Sequence, residues 1–313
     1  MGANPGSRAR RERIAALGYD YAAKPVQRTL RCNLCGGDRF VTLTHRDRYG
    51  YPATADGCLR CGLVFLNPVM VASAYTEFYT DVYRPLVSAY HGRLIDAESI
   101  QDEQREYASS RADFIEPRMR ERSCKTLLDV GGSTGVVAHV MKERFDLQAT
   151  VVDPAPLEIE VARKLGLKTV TAFVEDYDSG GATYDFIVSC QTVDHLLDVS
   201  LSLAKIRDLL SEWGLFFVDI VDFRAAYRRN GSVEEAIKID HPYYLTDETM
   251  RGFLARAGFD VLAIDFAPDH LHVGYLCAPG KKDPVALPDP VSVSDQWREI
   301  RAIQNQLPKE RDP

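Results

Sequence analysis

The sequence predicts an α/β protein. Its main body is a largely parallel, seven-stranded sheet whose last strand runs antiparallel, and a small cysteine-rich module precedes it. Three observations lead there. From Thr126 onward, short apolar runs alternate with stretches of helical periodicity, the pattern of a sheet covered by helices on both faces. The last two runs are separated only by Ala267-Pro268-Asp269, too short for a helical crossover, so they must pair antiparallel. Upstream stand two Cys-x-x-Cys-Gly turns, Cys32 to Gly36 and Cys58 to Gly62.

Composition sets the outer bounds. With 313 residues and 45% hydrophobic content, the chain can build a real core plus appendages. No apolar run approaches the roughly 20 residues of a membrane span, and the amino terminus lacks the apolar core of a signal peptide, which together imply a cytoplasmic protein. The net charge is −7, and the basic residues Arg8, Arg10, Arg11 and Arg13 crowd the start of the chain. The acidic remainder is unsuited to a long phosphate backbone, so nucleic acid is not the expected partner.

Taken in order, residues 1–29 read as a basic flexible arm, with a short helical stretch over 14–21. Residues 30–68 form the cysteine module. Its four cysteines, Cys32, Cys35, Cys58 and Cys61, suit a closed tetrahedral zinc site of structural type, because each turn points two thiolates at one ion. Short strands are expected between the pairs, over 40–44 and 49–53. Residues 69–122 form a helical, aromatic-rich linker or cap, in which Tyr79, Tyr83 and Arg84 are candidates for a pocket wall as well as for core.

Residues 123–279 carry the main sheet, with strands over 126–130, 149–153, 168–172, 184–190, 214–221, 259–266 and 270–278. Helices are expected near 136–144, 156–165, 200–211 and 246–257. The first strand runs into the turn Gly131-Gly132-Ser133-Thr134-Gly135, and the second ends in Asp153, a carboxylate placed to accept from both hydroxyls of a ribose. Residues 280–313 read as a tail with an amphipathic stretch over 293–307 that packs on the surface or on a second subunit.

Most weight falls on Tyr184-Asp-Phe-Ile-Val-Ser-Cys-Gln-Thr-Val-Asp-His-Leu-Leu-Asp198, which continues through the Trp213-Gly214 loop to Asp219. With the glycine turn and Asp153, this region resembles the class I S-adenosylmethionine-dependent methyltransferases over about residues 120–278. Including the cysteine pairs and the aromatic helix, the chain resembles bacterial zinc-containing methyltransferases that act on sugars or other secondary metabolites. A nicotinamide-binding reading fits less well, since Gly131-x-Ser133-x-x-Val136 does not match Gly-x-Gly-x-x-Gly.

The resemblance implies a Rossmann-like methyltransferase sheet and S-adenosylmethionine as cofactor. It places Asp129, Gly131, Gly132, Ser133 and Gly135 beside the methionine part and the sugar, Asp153 on the ribose, Phe173, Glu175 and Asp176 around the adenine, and Gln191 under the sulfonium.

Methyl transfer to a hydroxyl also requires removal of a proton, and histidine is suited to that task because it titrates near neutrality. His195, at the carboxyl end of the fourth strand, is the first candidate base. His241, in Asp240-His-Pro-Tyr-Tyr244, is the second, with Tyr243 and Tyr244 as acceptor contacts. The acid limb of the rate profile is then expected in the histidine range.

Some sugar C-methyltransferases of this group carry a tyrosine three positions before that histidine, where this chain has Thr192. They also carry a further carboxy-terminal domain. Thr192 weakens a Tyr–His dyad, and the expected lack of that domain here favours O-methylation of a nucleotide-linked sugar or glycosylated metabolite. The alternatives are C- or N-methylation, a zinc-bearing ribosomal RNA methyltransferase, and a non-catalytic cofactor-binding scaffold.

Overall fold

The computed structural model describes residues 5–306; Met1–Asn4 of the arm and residues 307–313 of the tail lie outside it. The main sheet has seven strands: β1 Thr126–Val130, β2 Gln148–Asp153, β3 Lys168–Thr171, β4 Tyr184–Ser189, β5 Leu210–Val221, β6 Phe259–Phe266 and β7 His272–Pro279. Their spatial order is β6-β7-β5-β4-β1-β2-β3. The run from β3 through β5 pairs in parallel, and β7 is antiparallel to both β5 and β6.

Central strands of such a sheet are buried on both faces, so their sequences read as nearly continuous apolar runs. Side chains still alternate between faces. Leu128, Val130 and Ile187 join the core on one side, and Leu127, Phe186 and Val188 join the core on the other. The expected strand boundaries hold to within two residues except for β5. That strand begins at Leu210, with an irregularity before Leu215 where the sequence suggests a loop at Trp213.

The cysteine module forms a separate antiparallel sheet from Phe40–Thr44, Ala55–Cys58 and Val64–Leu66. The expected strand over 49–53 is instead a turn. There the Asp47 carboxylate accepts from the backbone N–H of Tyr49 and of Tyr51, which holds the chain out of ladder geometry. A fourth strand, Tyr243–Tyr244, reaches this sheet from the segment after β5 and pairs with Phe65 and Val64. The four sulfurs of Cys32, Cys35, Cys58 and Cys61 are buried and lie within 4.8 Å of one another.

Helical structure runs through Ala72–Glu77, a wide π turn at Phe78–Val82, and Tyr83–His91. The described part of the arm differs from the flexible segment expected there. Pro5–Ala15 is helical, Ile14 and Tyr21 are buried in the same core as Tyr75 and Phe78, and Arg13 Nε donates to the Ala89 carbonyl at 2.8 Å. Two apolar anchors and one charged hydrogen bond suffice to hold it.

The tail helix Pro290–Gln306 packs on the cysteine-module sheet of its own chain. Trp297 lies against Gly57, where a Cβ atom would come within 2.3 Å of the indole, and Gln296 Nε2 donates to the Gly62 carbonyl at 2.9 Å. Among the described residues, no helix is long and apolar enough to cross a membrane.

Candidate active site

The turn after β1 is shaped by what surrounds it. Gly131 has φ +69°, and a Cβ there would fall 2.1 Å from Thr192, so glycine is the residue that fits. Two non-glycine residues near it also adopt positive φ, Ser133 at +49° and Gln191 at +50°. Each is held by a carboxylate: the Ser133 N–H donates to Asp153 at 2.9 Å and the Gln191 N–H to Asp219 at 2.7 Å. Strained backbone that persists because neighbours fix it is characteristic of ligand sites.

These residues border a cavity of about 380 Å³, walled by the turn, Asp129, Asp153, Phe173, Gln191 and His195. Asp129 is buried, and neither of its carboxylate oxygens has a hydrogen-bond partner among the described residues. Burial, together with the charge of Asp153, raises its pKa to about 7. Burial raises Asp153 to about 6, opposed by the N–H groups of Ala155 and Ser133. Two carboxyl groups at the ends of adjacent strands thus lack a full counter-charge, the environment a bound cation and ribose would complete.

The far wall comes from the aromatic helix and the loop after β4. Tyr79 lies in the π turn, and its hydroxyl stands 2.9 Å from His195 Nδ1 and 3.2 Å from the Asp240 carbonyl. A carbonyl can only accept, so the single phenolic proton goes to Asp240. Tyr79 then accepts from Nδ1–H, which leaves the lone pair on His195 Nε2. Burial keeps Tyr79 protonated, its pKa lying well above the ordinary value. Burial, and then the neighbouring His241, push His195 down to about 4, so it is neutral across the physiological range.

The two imidazoles are 4.2 Å apart between ring centres. His241 Nδ1 is 2.7 Å from Asp194, and its Nε2 is 3.3 Å from Asp240 and 3.1 Å from Lys238 Nζ. Burial disfavours charge on His241, yet the two carboxylates outweigh it and raise its pKa.

A family model described as a methyltransferase domain matches residues 100–264, just over half the chain. The chain belongs to that methyltransferase family. Curated relatives include the "Probable (S)-tetrahydroprotoberberine N-methyltransferase 2" of Papaver bracteatum, 26% identical over 56% of this chain and 54% of the relative. A ubiquinone biosynthesis O-methyltransferase of Methylocella silvestris is 30% identical over 29% of this chain and 38% of its own length. The chain therefore spans about half or less of the curated relatives it matches. Among solved structures, an S-adenosylmethionine-dependent methyltransferase from Clostridium acetobutylicum is similar, with 15% identity, a TM-score of 0.46, and coverage of 66% of this chain and 99% of that one.

The residues singled out from sequence divide into three groups. Asp129, Gly131, Gly132, Ser133, Asp153, Phe173, Gln191, His195, Tyr79, Tyr83 and Arg84 share the first cavity. His241, Tyr243 and Tyr244 line a second cavity of about 330 Å³ instead. Gly135, Glu175 and Asp176 line neither of the two. A Cβ at Gly135 would meet Ala162 and Leu167, Glu175 accepts from Ser202 at 2.5 Å, and Asp176 is exposed.

The sequence gives no sign of Glu158, which takes Arg84 at 2.8 Å and Ser133 Oγ at 3.0 Å, nor of Tyr107, which donates to Asp219. A strand-end acid is readable from local pattern; a side chain brought in from a neighbouring helix is not.

The raised carboxyls make a pH prediction for the ligand-free protein. A group whose pKa is higher folded than unfolded binds extra protons on folding, so stability rises as pH falls toward the unfolded value near 4 and is lost as pH rises through about 7. The stability of wild type relative to Asp129→Asn should increase from pH 7 to pH 5, by on the order of 1 kcal/mol per pH unit. Urea unfolding at several pH values checks this, and a flat difference would mean that Asp129 is solvated or paired.

Proposed function

We propose that this protein transfers a methyl group from S-adenosylmethionine to a hydroxyl of a small molecule, most plainly a nucleotide-linked sugar or glycosylated metabolite, with His195 as general base. The observation that carries the reading is a single cavity with two unlike ends. At one end Asp129 and Asp153 border the glycine turn, and at the other the neutral His195 is held by Tyr79. The family match supports the reaction type. The O-methyltransferase names of several curated relatives support a hydroxyl acceptor.

The donor set fits the cofactor. The unpartnered Asp129 would face the methionine ammonium, Asp153 the ribose hydroxyls, and Phe173 the adenine. S-adenosylmethionine, when bound, supplies an electrophilic methyl on a cationic sulfonium. His195 Nε2 takes the acceptor's proton, and Tyr79 keeps the ring in the tautomer that can do so. His241, fixed between Asp194 and Asp240, shapes the acceptor side, and those two carboxylates supply the negative charge that compensates the proton arriving on His195.

The four cysteines fit a structural zinc ion. All four are buried and free of disulfides, and nearest sulfurs are 3.5 Å apart, close to the edge of a tetrahedron with about 2.3 Å zinc–sulfur bonds. Cys32, Cys35, Cys58 and Cys61 would hold the ion with no position open for chemistry.

Binding, turnover, pH and metal measurements test this reading. Asp153→Ala should weaken S-adenosylmethionine binding by about 1.5–3 kcal/mol in calorimetry, as expected for a lost charge-assisted bond; unchanged affinity would remove Asp153 from the ribose site. His195→Gln should lower turnover roughly 10²–10⁴-fold with little change in cofactor affinity. Because His195 is pushed down to about 4, the wild-type rate should fall only as pH drops toward that value, below the histidine range the sequence alone suggests. Near-normal turnover in His195→Gln would end its role as base. Finally, purified protein should hold one zinc per chain, and Cys58→Ser should lose the metal and lower the thermal midpoint; metal-free wild-type protein of full stability is the contrary result.

A further inference from the structure

The second cavity, beside His241, has chemistry that the first does not. Three cationic side chains line it, Arg48, Lys238 and Arg229, together with Asp194 and Glu235. Asp194 is already engaged by His241 at 2.7 Å, and Glu235 is exposed near the exposed Arg229. Arg48 makes no ion pair among the described residues. Its buried Nε has no hydrogen-bond partner, and its guanidinium lies over the Tyr90 ring at 4.6 Å.

The backbone holds the two inner cations in place. The Arg48 N–H donates to the Ile237 carbonyl at 2.9 Å, so the cysteine-module loop and the Lys238 segment are fixed to each other. Tyr244 clamps Lys238 from both sides of its peptide, its hydroxyl accepting from the Lys238 N–H at 2.8 Å and donating to the Lys238 carbonyl at 2.6 Å. The two cations repel each other. Lys238 has Asp240 and Asp194 near it, whereas Arg48 has no carboxylate partner among the described residues, so its charge is the one left to be met by a counter-charge. The Lys238 pKa is accordingly depressed, by burial first and then by Arg48, against the pull of Asp240 and Asp194.

We propose that this cavity is an oxyanion-binding subsite, in which Arg48 and Lys238 grip a phosphate or carboxylate carried by the methyl acceptor. The assignment rests on the methyl-transfer reading for the word acceptor, and on the cavity alone for the word oxyanion. Guanidinium offers planar, paired N–H donors and ammonium a point charge, a combination that recognises phosphate and carboxylate. The location suits an anchoring group. Asp194 and His241 form part of this cavity while His195 borders the other, so the imidazole pair is the shared wall between an anchored anion and the methyl-transfer cavity.

The experiment uses the full chain saturated with S-adenosylhomocysteine, at pH 7 and low salt, titrated calorimetrically with inorganic pyrophosphate. Parallel arms use uridine diphosphate and glucuronate, which separate a phosphate source from a carboxylate source. Wild type should bind at least one of these probes. Arg48→Gln and Lys238→Gln should each weaken that binding at least tenfold, whereas Arg8→Gln, on the exposed amino-terminal helix, should not.

S-adenosylhomocysteine affinity within twofold of wild type in each variant shows that the fold and the first cavity survive. Absence of binding by every probe at 10 mM, equal binding by the Arg48 and Lys238 variants, or an equal loss in Arg8→Gln would overturn the proposal. Failure of S-adenosylhomocysteine to bind wild type would instead strike the methyl-transfer reading, and the pyrophosphate titration of the ligand-free chain would still decide the oxyanion site.

Discussion

The placement of the histidine cluster depends on a two-residue strand. Tyr243 and Tyr244 pair with Phe65 and Val64, and the Leu66 N–H donates to the Pro242 carbonyl at 2.9 Å. This short ladder joins the cysteine module to the segment that carries Lys238, Asp240 and His241. The same module reaches the other histidine by a separate route. Asn33, inside the first Cys-x-x-Cys turn, donates to Asp198 at 2.7 Å and accepts from the Ser200 N–H at 3.0 Å, which fixes the start of the helix Val199–Leu209 just after His195. A module with little core of its own therefore sets the relative position of two catalytic candidates that come from different parts of the main domain.

That arrangement explains how a crowded ionic cluster is tolerated. Asp194, Asp240, His241 and Lys238 are desolvated together, and no single pair among them would offset the cost alone. The carboxylates are held well below their usual range by the cations around them, and His241 is lifted, while His195 is left neutral at the edge. Two imidazoles 4.2 Å apart thus have opposite shifts, the separation of acid and base character that proton transfer requires. Rigid placement is the condition for this, since the shifts arise from a few ångströms of geometry.

The legible and illegible parts of the sequence divide along the same line. Strand–helix alternation, the glycine turn and the strand-end Asp129 and Asp153 are local signals. The short Ala267-Pro268-Asp269 link alone dictates an antiparallel last strand. The family resemblance puts a tyrosine three residues before His195, where this chain has Thr192. The tyrosine on His195 is instead Tyr79, 116 residues away, and no sequence pattern marks that pairing. The Arg48–Ile237 link and the Glu158–Arg84 pair are non-local in the same way. Asp47 shows the converse failure, since a stretch with strand-like composition was diverted by one carboxylate that captured two backbone donors.

The tail helix has a consequence for how the chain is made. Gln296 and Trp297 seal the cysteine-module sheet across 234 residues of intervening sequence, at Gly62 and against Gly57. Contacts so remote in sequence cannot form while the ribosome still holds the helix Pro290–Gln306. The cysteine module is thus completed only after the helix Pro290–Gln306 has been made. Until that helix is available, the face of the module that Trp297 and Gln296 cover stays open, and an open sheet face is a site at which a partly made chain can aggregate.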